Sequence, residues 1–167
     1  MPMIDNVTSL KASPLRVWSV LTDFAGHSQW KPAFQLSGAA TLGGDTAYTF
    51  RIDRIDKSVT ARADITSFDK PVTFAWVAGV PKLLMFEEAY ALEREPTGTR
   101  LRHTLRFSGL LGDTLAALMR RKLHASLIWS DICLERYLRR LSAQPNPNVR
   151  SSPARHGAKG SRSRRQR

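Results

Sequence analysis

Residues 114–141 read TLAALMRRKLHASLIWSDICLERYLRRL, a stretch of 28 residues with no glycine or proline. Nothing in it breaks a helix, and at 1.5 Å per residue it would run about 42 Å, beyond the usual length in a globular domain. Asp113 or Thr114 supplies the N-cap. Its apolar residues, Leu115, Leu118, Met119, Leu123, Leu127, Ile128, Ile132, Leu134, Leu138 and Leu141, form a broad stripe at helical spacing. An amphipathic helix of this length needs a long apolar surface to lie against.

The preceding segments offer that surface. Tyr48, Phe50 and Ile52 alternate with polar residues, and so do Val59, Ala61, Ala63 and Ile65. Phe74 and Trp76 continue the pattern, and the set Phe86, Glu88, Tyr90 and Leu92 faces Leu101, His103, Leu105 and Phe107. Turn residues separate the runs at Gly43-Gly44-Asp45, Asp69-Lys70-Pro71, Gly79–Lys82 and Pro96-Thr97-Gly98, so the runs read as antiparallel hairpins. Pairing Leu92 with His103, Ile65 with Phe74 and Ile52 with Val59 keeps each apolar set on one side of the pleat.

Farther upstream, Met3–Leu10 is a short strand. Ser13 followed by Pro14 caps a helix whose apolar face is Val17, Trp18, Leu21 and Phe24, and which ends near Asp23. A second short helical or irregular piece, residues 25–30, stops at Lys31-Pro32 because the residue before proline is pushed out of helical geometry. The expected class is α+β: a curved antiparallel sheet of six to seven strands wrapped around a long C-terminal helix.

Composition narrows the chemistry. The single Cys133 excludes an internal disulfide, and with four histidines it also excludes a cysteine-rich zinc site. No His/Asp/Glu cluster has metal-ligand spacing, and Gly43-Gly44-Asp45 lacks the strand-to-helix context and following lysine of a phosphate loop, so no metal or nucleotide cofactor is indicated. No apolar run reaches the ~18 to 20 residues of a membrane span and the start lacks signal-peptide shape, so the expectation is a cytoplasmic protein without a transmembrane segment. Residues 143–167 hold seven basic residues and no acid; removing those seven from the formal +12 leaves +5 for residues 1–142. The organisation expected is therefore one domain, 1–142, and a disordered basic tail, 143–167. Through residues 150–167 the tail suits weak, non-specific contact with nucleic acid or an anionic surface, without an aromatic residue for base stacking.

The stretch Ala12-Ser13-Pro14-Leu15-Arg16-Val17-Trp18-Ser19-Val20-Leu21-Thr22-Asp23-Phe24, with Trp30 ahead of Lys31-Pro32, resembles the opening of the START-related SRPBCC superfamily. Gly79-Val80-Pro81, Glu87–Leu92, Gly98-Thr99-Arg100-Leu101 and Phe107–Leu111 are similar to a small bacterial subgroup of it, and the likeness spans roughly residues 3–141. The resemblance implies the helix-grip fold, in lipid-transfer, pollen-allergen and polyketide cyclase/dehydrase relatives alike. These motifs specify fold rather than activity. Where that subgroup often has histidine, this chain has Glu88, after the acid Glu87.

A bent sheet around a helix tends to leave a gap between the layers, suited to a small hydrophobic or aromatic molecule. The residues expected to line it are Tyr48, Phe50, Phe74, Trp76, Glu88, Tyr90, His103, Leu105 and Phe107 from the strands, and Leu118 and Met119 from the helix. Binding, sequestration or transport of such a ligand in an internal cavity is the main reading, with Glu88 and His103 orienting it. The alternative is a cyclase/dehydratase-type enzyme using Glu88 and His103 in proton transfer. The pairing above puts Glu88 opposite Phe107, four residues or ~13 Å from His103, and so excludes a direct dyad. A third reading is an accessory protein held at nucleic acid or the ribosome by its tail. Trp30, Trp76 and Trp129 read as core or rim, Cys133 as a buried inert thiol, and His27 and His124 as exposed or rim residues.

Overall fold

The computed structural model describes residues 2–31, 34–52 and 57–143, the side chains of residues 51, 52 and 57 excepted. The elements run β1 (Met3–Leu10), α1 (Pro14–Thr22), a 3-10 helix (Phe24–Gln29), β2 (Phe34–Gly38), β3 (Thr46–Ile52), β4 (Lys57–Asp69), β5 (Thr73–Val80), β6 (Leu84–Glu95), β7 (Gly98–Ser108) and α2 (Gly112–Ala143). All seven strands pair antiparallel in the order β1-β7-β6-β5-β4-β3-β2. This is the expected helix-grip architecture: α1, the 3-10 helix and α2 share one face of the sheet. The periodicity missed β2, which is only five residues long. Helix α2 is longer than the span expected, starting at Gly112 with Asp113 in its first turn, and it reaches Ala143. The rest of the basic tail, and Pro32, lie outside the described residues.

Helix α1 begins as its sequence dictates, with Pro14 in the first turn and the Ser13 hydroxyl accepting from the Arg16 amide. Its Val17, Trp18, Val20 and Leu21 are buried. With Phe24, Phe68, Phe74, Leu101, Leu134 and Leu138 they fill one half of the space between sheet and helices. A second cluster under the first half of α2 joins Ile4, Leu105, Phe107, Ala116 and Leu127.

The faces of the strands fall as the alternation predicts, but the hairpin registers do not. Observed partners are Leu92 with Leu101, Ile65 with Trp76 and Ile52 with Lys57. Each register moves by two from the expected pairing, an even shift that preserves which side every side chain faces. The β6–β7 loop is Pro96-Thr97, with Glu95 paired to Gly98. A Cβ at residue 98 would lie 2.0 Å from the Leu10 carbonyl oxygen, so glycine is obligatory where β1 crosses the hairpin end. In β4 a bulge between Ile65 and Ser67 turns Phe68 inward, where its ring meets Trp18 at 5.1 Å.

Helix α2 packs on β1, β7 and β6. Its inward set is Gly112, Ala116, Leu127, Ser130, Asp131, Leu134 and Leu138, with Leu115, Met119 and Leu123 half-buried. Leu118 is 83% exposed, which overturns its expected place in the gap. It sits about 100° around the helix from Met119, and the broad stripe read from sequence covered more of the circumference than the sheet does.

Candidate functional site

The corrected register determines the site. Glu88 stands opposite Leu105, and Tyr90 opposite His103, so Glu88 and His103 are diagonal neighbours on the inner face. His103 Nε2 lies 3.1 Å from Glu88 Oε1. The two are in direct contact, contrary to the ~13 Å separation expected from the looser pairing.

They belong to a wider buried cluster. Lys31, just past the 3-10 helix, and the Trp76 indole both donate to Glu88 Oε2, the latter at 2.7 Å. On the other side His103 Nδ1 is 2.7 Å from Asp131 Oδ1, and Asn6 Nδ2 donates to Asp131 Oδ2 at 2.6 Å. The network therefore runs from β1 across β7 and β6 to β5, with α2 and the segment after the 3-10 helix closing it. Lys31, Glu88, His103 and Asp131 are all buried. Two carboxylates face the two ring nitrogens of His103. Both contacts are hydrogen bonds only if the ring carries both protons, because an ionised carboxylate can only accept.

The electrostatics agree. Burial alone would raise the Glu88 carboxyl, but the Lys31 ammonium and His103 hold it well below the usual carboxylate range. Burial alone would lower the His103 ring, and the hydrogen bonds to Asp131 and Glu88 outweigh it, holding the ring above its ordinary value. Two cations thus neutralise two carboxylates inside the core. The Tyr90 ring stacks on His103 with centroids 4.3 Å apart, and burial, then the charges of Glu88 and Asp131, push its phenol upward. Among the described residues no hydrogen-bond partner within bonding geometry faces the Tyr90 hydroxyl.

Beside this network lies an aromatic basket. Phe86 makes an edge contact with Trp76 at 5.3 Å and with Tyr48 at 5.4 Å, and its ring is 5.4 Å from that of Phe34. Phe50 stacks on Tyr48 at 6.0 Å. Trp76 is fully buried and Tyr48 nearly so, whereas Phe34, Phe50 and Phe86 are half-buried. On the same inner face, Val59 opposite Phe50 and Ala61 opposite Tyr48 are exposed. Helix α2 lies over the β1 side of the sheet, so the apolar inner face opens to solvent at its β3–β4 end.

The residues expected to line one gap between sheet and helix do not share one: side chains fill the space under α2, and the expected set separates into groups. Tyr48, Phe50 and Trp76 meet in the basket, and Glu88 and His103 in the network behind it. Phe74 is enclosed by Trp18, Phe24 and Phe68 in the solid half of the core. Tyr90 lies between His103 and Phe74. Leu105 and Phe107 are packed under the first half of α2, on which Met119 is half-buried. Lys31, Asp131, Asn6, Phe34 and Phe86 were not among the expected site residues. Asp131 was visible as an acid at helical spacing in the buried series Leu127, Asp131, Leu134, Leu138. Lys31 carried no such signal.

Two further expectations change, those for His27 and Cys133, whereas Trp30 and Trp129 take the core and rim places expected of them. His27 is buried rather than at a rim: its Nε2 donates to the Leu21 carbonyl at 2.9 Å and its Nδ1 accepts from the Leu36 amide at 3.2 Å. Burial, reinforced by the Lys31 charge, lowers it to about 4. Cys133 is half-buried. Trp129 is half-exposed beneath the Arg136 guanidinium, 5.6 Å from its ring, while Trp30 is buried.

Comparison with known proteins agrees with this fold. A family model described as polyketide cyclase / dehydrase and lipid transport matches residues 1–131. The chain is similar to a crystal structure of a Nitrosomonas europaea protein, with a TM-score of 0.70 and 14% identity over 85% of this chain and 97% of that one. It is also similar to a Thermus thermophilus protein, with TM-score 0.66 and 18% identity over 85% and 100%. An Arthrobacter aurescens protein solved by NMR gives 0.67 and 16% over 90% and 93%. At these identities the likeness is one of fold. No curated protein matches the sequence. No helix among the described residues is long and apolar enough to cross a membrane.

Proposed function

Because the chain belongs to the polyketide cyclase / dehydrase and lipid transport family, within the SRPBCC superfamily, we propose that it binds a small hydrophobic or aromatic molecule at the β3–β4 end of the sheet's inner face. The observation that carries this reading is the incompletely covered basket of Phe34, Tyr48, Phe50 and Phe86, continuous with exposed Val59 and Ala61. Apolar surface left open on the face that elsewhere forms the core gains by receiving an apolar guest. The charge cluster behind Trp76 acts as a rigid floor, since the Trp76 indole is tied to Glu88 and so fixed in orientation.

The direct Glu88–His103 contact favours a second reading, proton transfer in a cyclase or dehydratase. Both oxygens of Glu88 already accept hydrogen bonds and both ring nitrogens of His103 are engaged. A substrate would have to break a neutralised cluster to use either group, so the binding reading is preferred.

The test uses 1-anilinonaphthalene-8-sulfonate, an aromatic probe that brightens in apolar sites. The native protein is expected to bind it in a saturable, one-to-one manner. Val59→Glu and Ala61→Glu, both at exposed positions, are expected to weaken it about tenfold or more, near 1.4 kcal/mol each, with unchanged thermal midpoints. Equal affinity in both variants and the native protein would overturn this location for the site.

A further inference from the structure

The end of the molecule where α2 begins carries a cluster of large aliphatic side chains facing water. Val80 and Leu83 flank the β5–β6 turn, Leu110 and Leu111 lie in the β7–α2 connection, and Leu118 follows on the second turn of α2. Leu110 and Leu118 are each 83% exposed. The two connections are held together by the main chain: the Leu110 amide donates to the Lys82 carbonyl and the Leu111 amide to the Leu83 carbonyl, both at 3.0 Å. Gly109 permits the approach, since it has φ +90° and a Cβ there would lie 2.7 Å from the Leu83 carbonyl oxygen. Leu111, Leu115 and Leu118 follow one another at four and three residues, so they share a side of the helix start. Isolated exposed leucines need no explanation, but five exposed aliphatic side chains on two braced loops and the adjoining start of one helix do.

Charge selects the occupant. The elements that carry these leucines also carry exposed bases, Lys82 in the β5–β6 turn and Arg120, Arg121 and Lys122 on the third turn of α2, against one exposed acid, Asp113, in the first turn. The whole chain carries formal +12. A second copy would bring the same basic rim against itself, which like-charge repulsion opposes. A surface that is apolar at depth and negative at its boundary matches both features, and an anionic bilayer has that arrangement: acyl chains for the leucines, headgroups for the basic rim.

We propose that this tip is a docking surface for an anionic lipid bilayer, inserting Leu110 and Leu118 while Lys82, Arg121 and Lys122 contact headgroups. The inference goes beyond the ligand site and stands on different residues. It is tested with the full chain by co-sedimentation with vesicles of phosphatidylcholine alone and of phosphatidylcholine with about 30% phosphatidylglycerol. The native protein is expected to bind the anionic vesicles more tightly. Leu110→Ser/Leu118→Ser leaves the net charge unchanged and is expected to bind them at least about tenfold more weakly, given the transfer free energy of a leucine side chain. Its thermal midpoint and its anilinonaphthalene sulfonate affinity without vesicles should match the native values, so failure here is distinct from failure of the ligand site. Native-like vesicle binding by the serine pair would overturn the proposal, because charge alone would then suffice. Absence of native binding to anionic vesicles would also overturn it, as would a dimer that the serine pair dissociates in the absence of vesicle binding.

Discussion

Lys31→Met is expected to lower the unfolding free energy by about 3–5 kcal/mol, the usual cost of leaving one member of a buried ion pair without its partner. Lys31 and Glu88 are both almost wholly inaccessible to solvent. Removing the ammonium leaves Glu88 with the Trp76 indole and His103 as its remaining donors. Glu88→Gln should fall in the same range, because it strands the ammonium and weakens the Nε2 contact of His103. The double variant Lys31→Met/Glu88→Gln should lose clearly less than the sum, since neither charge is then buried alone. Urea denaturation of the four proteins supplies the cycle. Strictly additive costs below about 1 kcal/mol each would show that the pair is solvated and the cluster is not a closed floor.

The second large effect is acid destabilisation through His27. Its two hydrogen bonds require the neutral ring, protonated on Nε2 only, because the Leu36 amide already points at Nδ1. A folded value of about 4 against an ordinary 6.5 means that the folded state binds the proton less readily than the unfolded chain. The stability is therefore fully present above pH 6.5 and is lost as pH falls toward 4, by about 3 kcal/mol in all. His27→Gln can keep a donor and an acceptor without titrating, so its stability should be flatter over that interval. A native protein with no greater loss than His27→Gln between pH 6.5 and 4 would contradict this assignment. His103 has the opposite sign. Its folded value is raised, so its contribution is full below its unfolded value and declines as pH rises through the folded one.

Much of the architecture was legible in the sequence because it rests on periodicity. The spacing of Val17, Trp18 and Leu21, the alternation around Tyr90 and the unbroken run to Leu141 each report a local geometry. Register is a different kind of quantity. It depends on which two residues form each turn, and the choice between Pro96-Thr97 and Thr97-Gly98 moved Glu88 from beyond reach of His103 to hydrogen-bond distance. The even shift left the inner and outer faces intact, which is why Tyr48, Trp76, Glu88 and His103 were identified while their contacts were not. Lys31 escaped notice because nothing local marks a lysine that the chain turns inward. Asp131 was readable, as a charged residue inside a buried helical series, and implied a partner that only the fold could name. Leu118 shows the reverse error, an apolar residue assigned to the core by helical spacing alone.

A guest is expected to bind at the open aromatic end of the inner face. Titration of the ¹⁵N-labelled protein with anilinonaphthalene sulfonate, followed by amide chemical shifts, tests this most directly. Saturable shifts should centre on Phe34, Tyr48, Phe50, Val59, Ala61 and Phe86. Two other hollows exist, one lined by Gln29, Trp30, Cys133 and Arg136 and one on the outer face lined by Ala89 and Arg102; saturable shifts centred on either would contradict this, as would an unperturbed spectrum at millimolar probe.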